Sequence, residues 1–152
     1  MTMDQEVARP AGVRRYLLVR SGGAGWALPA DQVRRVVRGL TCHPAPGARP
    51  HLLGLAQFGG EPLAVLDLNA LVTGGTPRSD HRATVILGRH GAWSGAVLGL
   101  AIDEALRVVT LADPPQPGSP NPLVEGTLNV DGDSVKVLNT AHLFTTPEDA
   151  DA

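Results

Sequence analysis

Apolar runs of about five residues, each closed by glycine, proline or a charged residue, follow one another along the chain and predict short β-strands rather than helices. Residues 16–20 form the first run. Ser21-Gly22-Gly23 interrupts it, and residues 25–28 resume it as far as Pro29, which has no backbone N–H for a ladder; the two runs read as a hairpin. Residues 30–32 leave room for one helical turn. Residues 33–38 then alternate as a strand, with Val33, Arg35 and Val37 on one face and Arg34, Val36 and Arg38 on the other. A loop with Pro44, Pro46, Gly47 and Pro50 follows. Strands at 52–58 and 61–68 flank Gly59-Gly60, and strands at 126–130 and 134–138 flank Asp131-Gly132; both dipeptides suit two-residue turns that need positive φ. Residues 83–88, 97–102 and 105–111 supply the other strands, with turns near Gly91 and Ser94-Gly95. Residues 69–72 and 140–144 each add a helical turn, Thr140 being an acceptable N-cap. Residues 74–82 read as a linker and the proline-rich residues 113–122 as a second long loop.

The pattern occurs twice. Residues 27–37 align without a gap on residues 99–109, and the same offset of 72 positions places residues 52–72 on residues 124–144. It pairs Gly54 with Gly126, Gly60 with Gly132, Val65 with Val137, Leu66 with Leu138 and Leu71 with Leu143. Two copies are too few for a solenoid and imply a pseudo-two-fold pair of small β units, each marginal alone and stabilised by its twin. Five short strands per unit suggest two small barrels, which close to limit exposed strand edges. The expected divisions are one domain over residues 13–145, subdomains at about 13–74 and 82–145, and flexible tails at 1–12 and 146–152 that look like natural ends.

Composition adds a globular balance, with 43% hydrophobic and 18% charged residues. No apolar run approaches the roughly 20 residues of a membrane helix, and the acidic start lacks the basic flank and apolar core of a signal peptide, so a cytoplasmic protein is expected. The net charge of −2 hides an asymmetry. Residues 1–75 carry eight Arg against five acids, whereas residues 76–152 carry four Arg and one Lys against ten acids, a distribution suited to head-to-tail association. Aromatics at 3% and the lack of a basic run interleaved with them argue against nucleic acid.

No catalytic, cofactor or metal site emerges. Asp67 and Asp103 each follow an apolar strand and read as strand-end residues rather than an acid/base pair. His43, His51, His81, His90 and His142 include no closely spaced ligand pair and read as loop or surface residues. Cys42 beside His43 cannot form a dyad in extended chain, where neighbours point to opposite sides, and as the single cysteine it excludes an internal disulfide. Gly22, Gly23 and Gly25 precede no Lys-Ser or Lys-Thr and no helix, so they are not a phosphate loop. Trp26, Trp93 and Phe58 read as core or barrel-plug residues.

The ordered set of residues 27–29, 33–36, 51–56, 60–68, 99–104 and 123–126 closing on 137–139, together with the internal repeat, resembles the CheW-like domain of bacterial chemosensory systems over about residues 15–144. The resemblance implies two five-stranded SH3-like β-barrels, all-β apart from short helical turns. It also implies a non-enzymatic adaptor without cofactor that couples methyl-accepting chemoreceptors to a histidine kinase through the kinase's related regulatory domain. Two departures stand out. The family's usual Asn-Leu-Arg-Gly turn reads Gln57-Phe58-Gly59-Gly60 here, so the arginine tied to receptor coupling is missing, and Arg35 stands where an acid is common. Val33, Arg35, Val37, Phe58 and Gly59 are therefore expected to form one partner contact, with Asp103, Glu104 and the surrounding residues 99–111 as the kinase-facing contact. The alternatives are an accessory member with altered or lost receptor binding, or a small-ligand-binding regulatory barrel.

Overall fold

Burial on both faces explains why the first and sixth strands are nearly continuous apolar runs. The structure, a computed structural model, describes residues 13–38, 40–44, 52–78, 81–88 and 97–143. The predicted tails, Trp93, His51, His90 and the turns near Gly91 and Ser94-Gly95 lie outside the described residues. Ten strands occur among the described residues: β1 (Arg14–Ser21), β2 (Ala24–Pro29), β3 (Val33–Arg38), β4 (Leu52–Phe58), β5 (Glu61–Asp67), β6 (Ala83–Gly88), β7 (Val97–Ile102), β8 (Glu104–Leu111), β9 (Val124–Val130) and β10 (Asp133–Leu138). Short helices α1 (Leu68–Thr73) and α2 (Thr140–Leu143) follow β5 and β10, and a 3-10 turn, Ala30–Gln32, joins β2 to β3. Thr140 is the first residue of α2 rather than its cap.

The strands form two five-stranded sheets, β8-β1-β2-β10-β9 and β3-β6-β7-β5-β4. Under the sequence repeat β8 maps to β3, β2 to β7, β10 to β5 and β9 to β4, so the two orders are the same. The registers agree as well: Val137 faces Ala27 in the parallel pair β10/β2, as Val65 faces Gly99 in β5/β7. Each sheet also carries a bulge at the equivalent place in its hairpin, between Val137 and Leu138 and between Leu52 and Gly54. The repeat is therefore a structural one.

The contiguous subdomains expected at 13–74 and 82–145 are not how the sheets divide. β1 and β2 from the first half join β8, β9 and β10, while β6 and β7 from the second half join β3, β4 and β5. The cause is local. The chain passes from one sheet to the other through the three-residue turn after Pro29, and returns through the single residue Asp103 between β7 and β8. With Arg14, Arg15 and Arg20 on β1, the charge asymmetry of the sequence halves does not carry over to the sheets.

Strand alternation serves three cores. Leu17, Val19, Trp26 and Leu28 of one sheet meet Leu66, Val85, Leu87, Leu100 and Ile102 of the other in the core between the sheets. Tyr16, Leu18, Leu128, Val135 and Val137 fill the inside of the first sheet. Ala56, Leu63, Val65, Ile86 and Ala101 fill the inside of the second. Successive residues of β1 and β6 thus go to different cores. Leu63 and Val65 face inward like their counterparts Val135 and Val137, as their positions in the repeat require.

Candidate partner-binding surface

β3 and β4 are the two edges of their sheet, and Arg35 and Phe58 bring those edges together. The Arg35 guanidinium lies 5.8 Å from the centroid of the Phe58 ring, within cation–π reach. Val37 and Phe58 both pack on the inside of this sheet, beside Cys42 and Leu53. Gly59 begins the adjoining turn at φ 61°, and Gly60 continues it at φ 84°. Four of the five residues expected at this contact are thus neighbours in space or sequence. Val33 is not on their face. The ladder with β6 slips between Val33 and Arg35, leaving Arg34 as the extra residue, so Val33 packs on the core between the sheets while Arg35 and Val37 turn toward Phe58.

Val36 lies on the opposite face of this strand from Arg35 and Val37, and its exposure bears on docking. It lies across from Val85, a member of the core between the sheets, yet remains 38% exposed. Its repeat counterpart Val108, on the edge strand β8, lies across from Leu17 of the same core and is 50% exposed, with Leu106 exposed nearby. Residues opposed in an antiparallel ladder share a face, so the two valines mark two rims of one apolar layer. Leu55 on β4 is a further exposed apolar side chain.

Asp103 and Glu104 lie away from Phe58, at the crossover, and both are engaged within the chain. Glu104 accepts from Arg20 at 2.7 Å. Asp103 accepts the Gly22 backbone N–H at 2.9 Å and an Arg78 N–H at 2.6 Å. Charges so paired, Glu104 exposed and Asp103 half-buried, offer little net field to a partner.

One buried constellation was not apparent from the sequence. His81, expected as a loop or surface residue, lies in the linker loop but has a side chain only 5% exposed, with Nε2 3.0 Å from the Asp67 carboxylate and Nδ1 3.8 Å from that of Asp103. Asp67 also accepts from the backbone N–H groups of Arg78, at 2.8 Å, and Ala70, at 3.2 Å, the latter capping α1. Burial pushes the Asp67 carboxyl up, but these hydrogen bonds outweigh it and hold the group below its ordinary value. The cluster ties the linker to the end of β5; a nucleophile for acid/base chemistry is not among its members. Burial raises the Cys42 thiol, the opposite of activation, and His43 is held in a backbone bridge to Leu55. Among the described residues no group of His, Cys, Asp and Glu is arranged to hold a metal ion, and no helix is long and apolar enough to cross a membrane. Trp26 is buried in the core between the sheets, as expected, whereas Phe58 is only half-buried.

The insides of both sheets are filled by their own side chains. Two clefts of about 400 and 380 Å³ open at equivalent ends. The first is lined by Arg14, Gln32, Glu125 and Asn139, and there Arg14 and Glu125 already pair at 3.1 Å. The second is lined by Leu40, Cys42, Leu53, His81 and Thr84.

Comparison with known proteins agrees with this architecture. No curated protein matches the chain in sequence. Among solved structures, the scaffolding protein TtCheW from Thermoanaerobacter tengcongensis is similar to it at 19% identity, over 88% of this chain and 94% of that one, with a TM-score of 0.74, a likeness of fold. The family model described as CheW-like domain matches residues 15–148. With that match over nearly its whole length, and with two all-β subdomains related by an internal repeat, the chain belongs to the CheW-like domain family.

Proposed function

We propose that this protein is a non-enzymatic cytoplasmic adaptor that holds a chemoreceptor and the regulatory domain of a histidine kinase together. The observation that carries this reading is the pair of edge strands, β3 and β8, each presenting an exposed valine at a rim of the core between the sheets. Edge strands with open apolar positions are natural docking elements, because a partner can cover side chains and backbone together. The kinase-facing contact is assigned to Leu106 and Val108 of β8, with Asp103 and Glu104 bordering it, and the second contact to Arg35, Val36, Phe58 and Gly59. A small transient interface of this kind supports affinities in the micromolar range. Calorimetry with the purified kinase regulatory domain and the receptor's cytoplasmic fragment, from the same organism, tests it. Val108→Lys is expected to weaken kinase binding at least tenfold, an apolar hot spot being worth more than about 1.4 kcal/mol, and to leave the melting temperature within a few degrees. Absence of binding by the wild type to either partner would overturn the reading.

The reading of an accessory member with altered receptor binding has its own support. Gly59 stands at the turn position where the family carries arginine, and Arg35 presents the opposite sign from the acid common there. A protein that binds the kinase domain as above but not the receptor fragment is the result expected of such a member.

A further inference from the structure

The internal repeat allows one subdomain to be compared with the other at the site itself. Arg107 on β8 is the counterpart of Arg35 on β3, and Asp131 in the β9/β10 turn is the counterpart of Gly59 in the β4/β5 turn. Each turn places a residue with positive φ at this position, 52° at Asp131 and 61° at Gly59. In the first sheet the arginine is satisfied within the chain, Arg107 pairing with Asp131 at 2.5 Å. In the second sheet no acid stands in the turn. Arg35 is exposed and seated on the Phe58 ring, and no carboxylate among the described residues lies within ion-pair distance of it. Glu61, across the hairpin from Phe58, is the counterpart of Asp133, and neither of them pairs with the arginine of the edge strand. Arg38, exposed on the same strand, adds a second positive charge.

We infer that Arg35, its guanidinium over the Phe58 ring beside a turn that lacks an acid, takes an Asp or Glu carboxylate from a bound protein partner, filling in trans the role that Asp131 fills for Arg107 within the chain. The inference rests on the adaptor reading and names the chemistry of one of its contacts. A cation–π contact restricts where a guanidinium sits and so reduces the conformational freedom lost when its fork meets a carboxylate. Covering the pair by a partner removes solvent screening and makes it count for more than an exposed pair. The partner's acid is expected on a turn or strand end, flanked by an apolar side chain that covers Val36.

The repeat also supplies the test, since Gly59→Asp rebuilds the arrangement of the other subdomain. A Cβ at Gly59 meets no atom within 4 Å, and Asp131 shows that aspartate tolerates this backbone. Binding to the purified kinase regulatory domain and to the receptor cytoplasmic fragment is measured by calorimetry at low and physiological salt. Arg35→Gln is expected to leave binding to the kinase domain unchanged and to weaken binding to the receptor fragment, the partner left for this second contact, about three- to tenfold, the range of a partly covered ion pair, with a shallower salt dependence. Gly59→Asp is expected to weaken it by a similar factor while keeping or raising the melting temperature, and Arg35→Gln added to Gly59→Asp to weaken it no further. Gly59→Asn, which has the same shape without the charge, is expected to bind like the wild type. If the wild type binds and Arg35→Gln and Gly59→Asp bind equally well, the carboxylate contact is overturned and the adaptor reading stands. Weakening by Gly59→Asn equal to that by Gly59→Asp, or an effect confined to self-association in sedimentation, also overturns it. Failure of the wild type to bind either partner removes the adaptor reading itself.

Discussion

At the scale of single residues, two equivalent glycines fix the approach of the long loops to the sheets. A Cβ on Gly54 would lie 2.4 Å from the His43 carbonyl oxygen, and one on Gly126 would lie 2.7 Å from that of Gln116. At each place the loop makes a two-bond bridge to the strand, His43 with Leu55 and Gln116 with Thr127. Backbone cannot move aside as a flexible side chain can. Gly54→Ala and Gly126→Ala are therefore expected to cost roughly 2–3 kcal/mol each, through overpacking and a displaced bridge. Gly60→Ala, in open space at φ 84°, carries only the backbone term of about 1 kcal/mol. Chemical denaturation of the three variants checks the order; equal losses would mean that the close approach carries no weight. The buried carboxylate of Asp67 makes a second residue-scale prediction. Its folded pKa is below its unfolded one, so its contribution is present at neutral pH and is lost as pH falls below the ordinary carboxylate range. Asp67→Asn is expected to lower stability at pH 7 by roughly 1–3 kcal/mol, through lost acceptors for Arg78, Ala70 and His81. The gap to wild type should narrow as pH falls toward 3, and a gap that stays constant from pH 7 to pH 3 would contradict it.

At the scale of elements, the crossover between β7 and β8 is held by side chains that the sequence suggested for a partner. Asp103 binds the Gly22 N–H in the β1/β2 turn and Arg78 in the linker, joining three segments at the point where the chain changes sheets. Asp103→Lys is thus expected to destabilise the fold by about 1–2 kcal/mol, whereas Glu104→Lys, losing an exposed pair with Arg20, is expected to cost under about 1 kcal/mol. Thermal melts of the two variants separate this from a purely partner-facing role, which would leave both unchanged. The strands themselves were legible because their ends carry local signals. Gly22-Gly23, Gly59-Gly60 and Asp131-Gly132 mark the turns, and Pro29 closes β2. The bulge at Arg34 is not legible, since Val33-Arg34-Arg35-Val36-Val37-Arg38 puts both valine and arginine on each face of a regular strand and carries no mark of an extra residue, and so the sequence alone places Val33 with Arg35 and Val37. The burial of His81 was equally hidden. It is set by carboxylates 14 positions before it, at Asp67, and well after it, at Asp103, brought together only by the fold.

For the whole molecule, the repeat in the sequence announced two similar units but could not say that they exchange strands. The exchange turns on the three residues 30–32 and on Asp103, segments whose composition is compatible with staying in one sheet or leaving it. Its energetic consequence is large. The first half of the chain alone would hold β3, β4 and β5 of the second sheet without β6 and β7, which lie between β3 and β5, and β1 and β2 of the first sheet without any of its other three strands. Val85 and Leu100, at the centre of the core between the sheets, come from the half that would be absent, while Leu17 and Leu28 come from the half that remains. Neither half can close a sheet or cover that core, so neither is expected to fold alone. Cutting the chain in the linker near residue 79 should instead give two fragments that are unfolded separately and assemble when mixed, with stability dependent on concentration as for any bimolecular fold. Circular dichroism and amide NMR of each fragment and of the equimolar mixture test this directly. Native-like dispersed spectra from either fragment by itself would show that the strand exchange is not required for folding. Recovery only on mixing would make the two subdomains one cooperative unit, so that a partner gripping β3 on one sheet and β8 on the other stabilises the same fold from both rims.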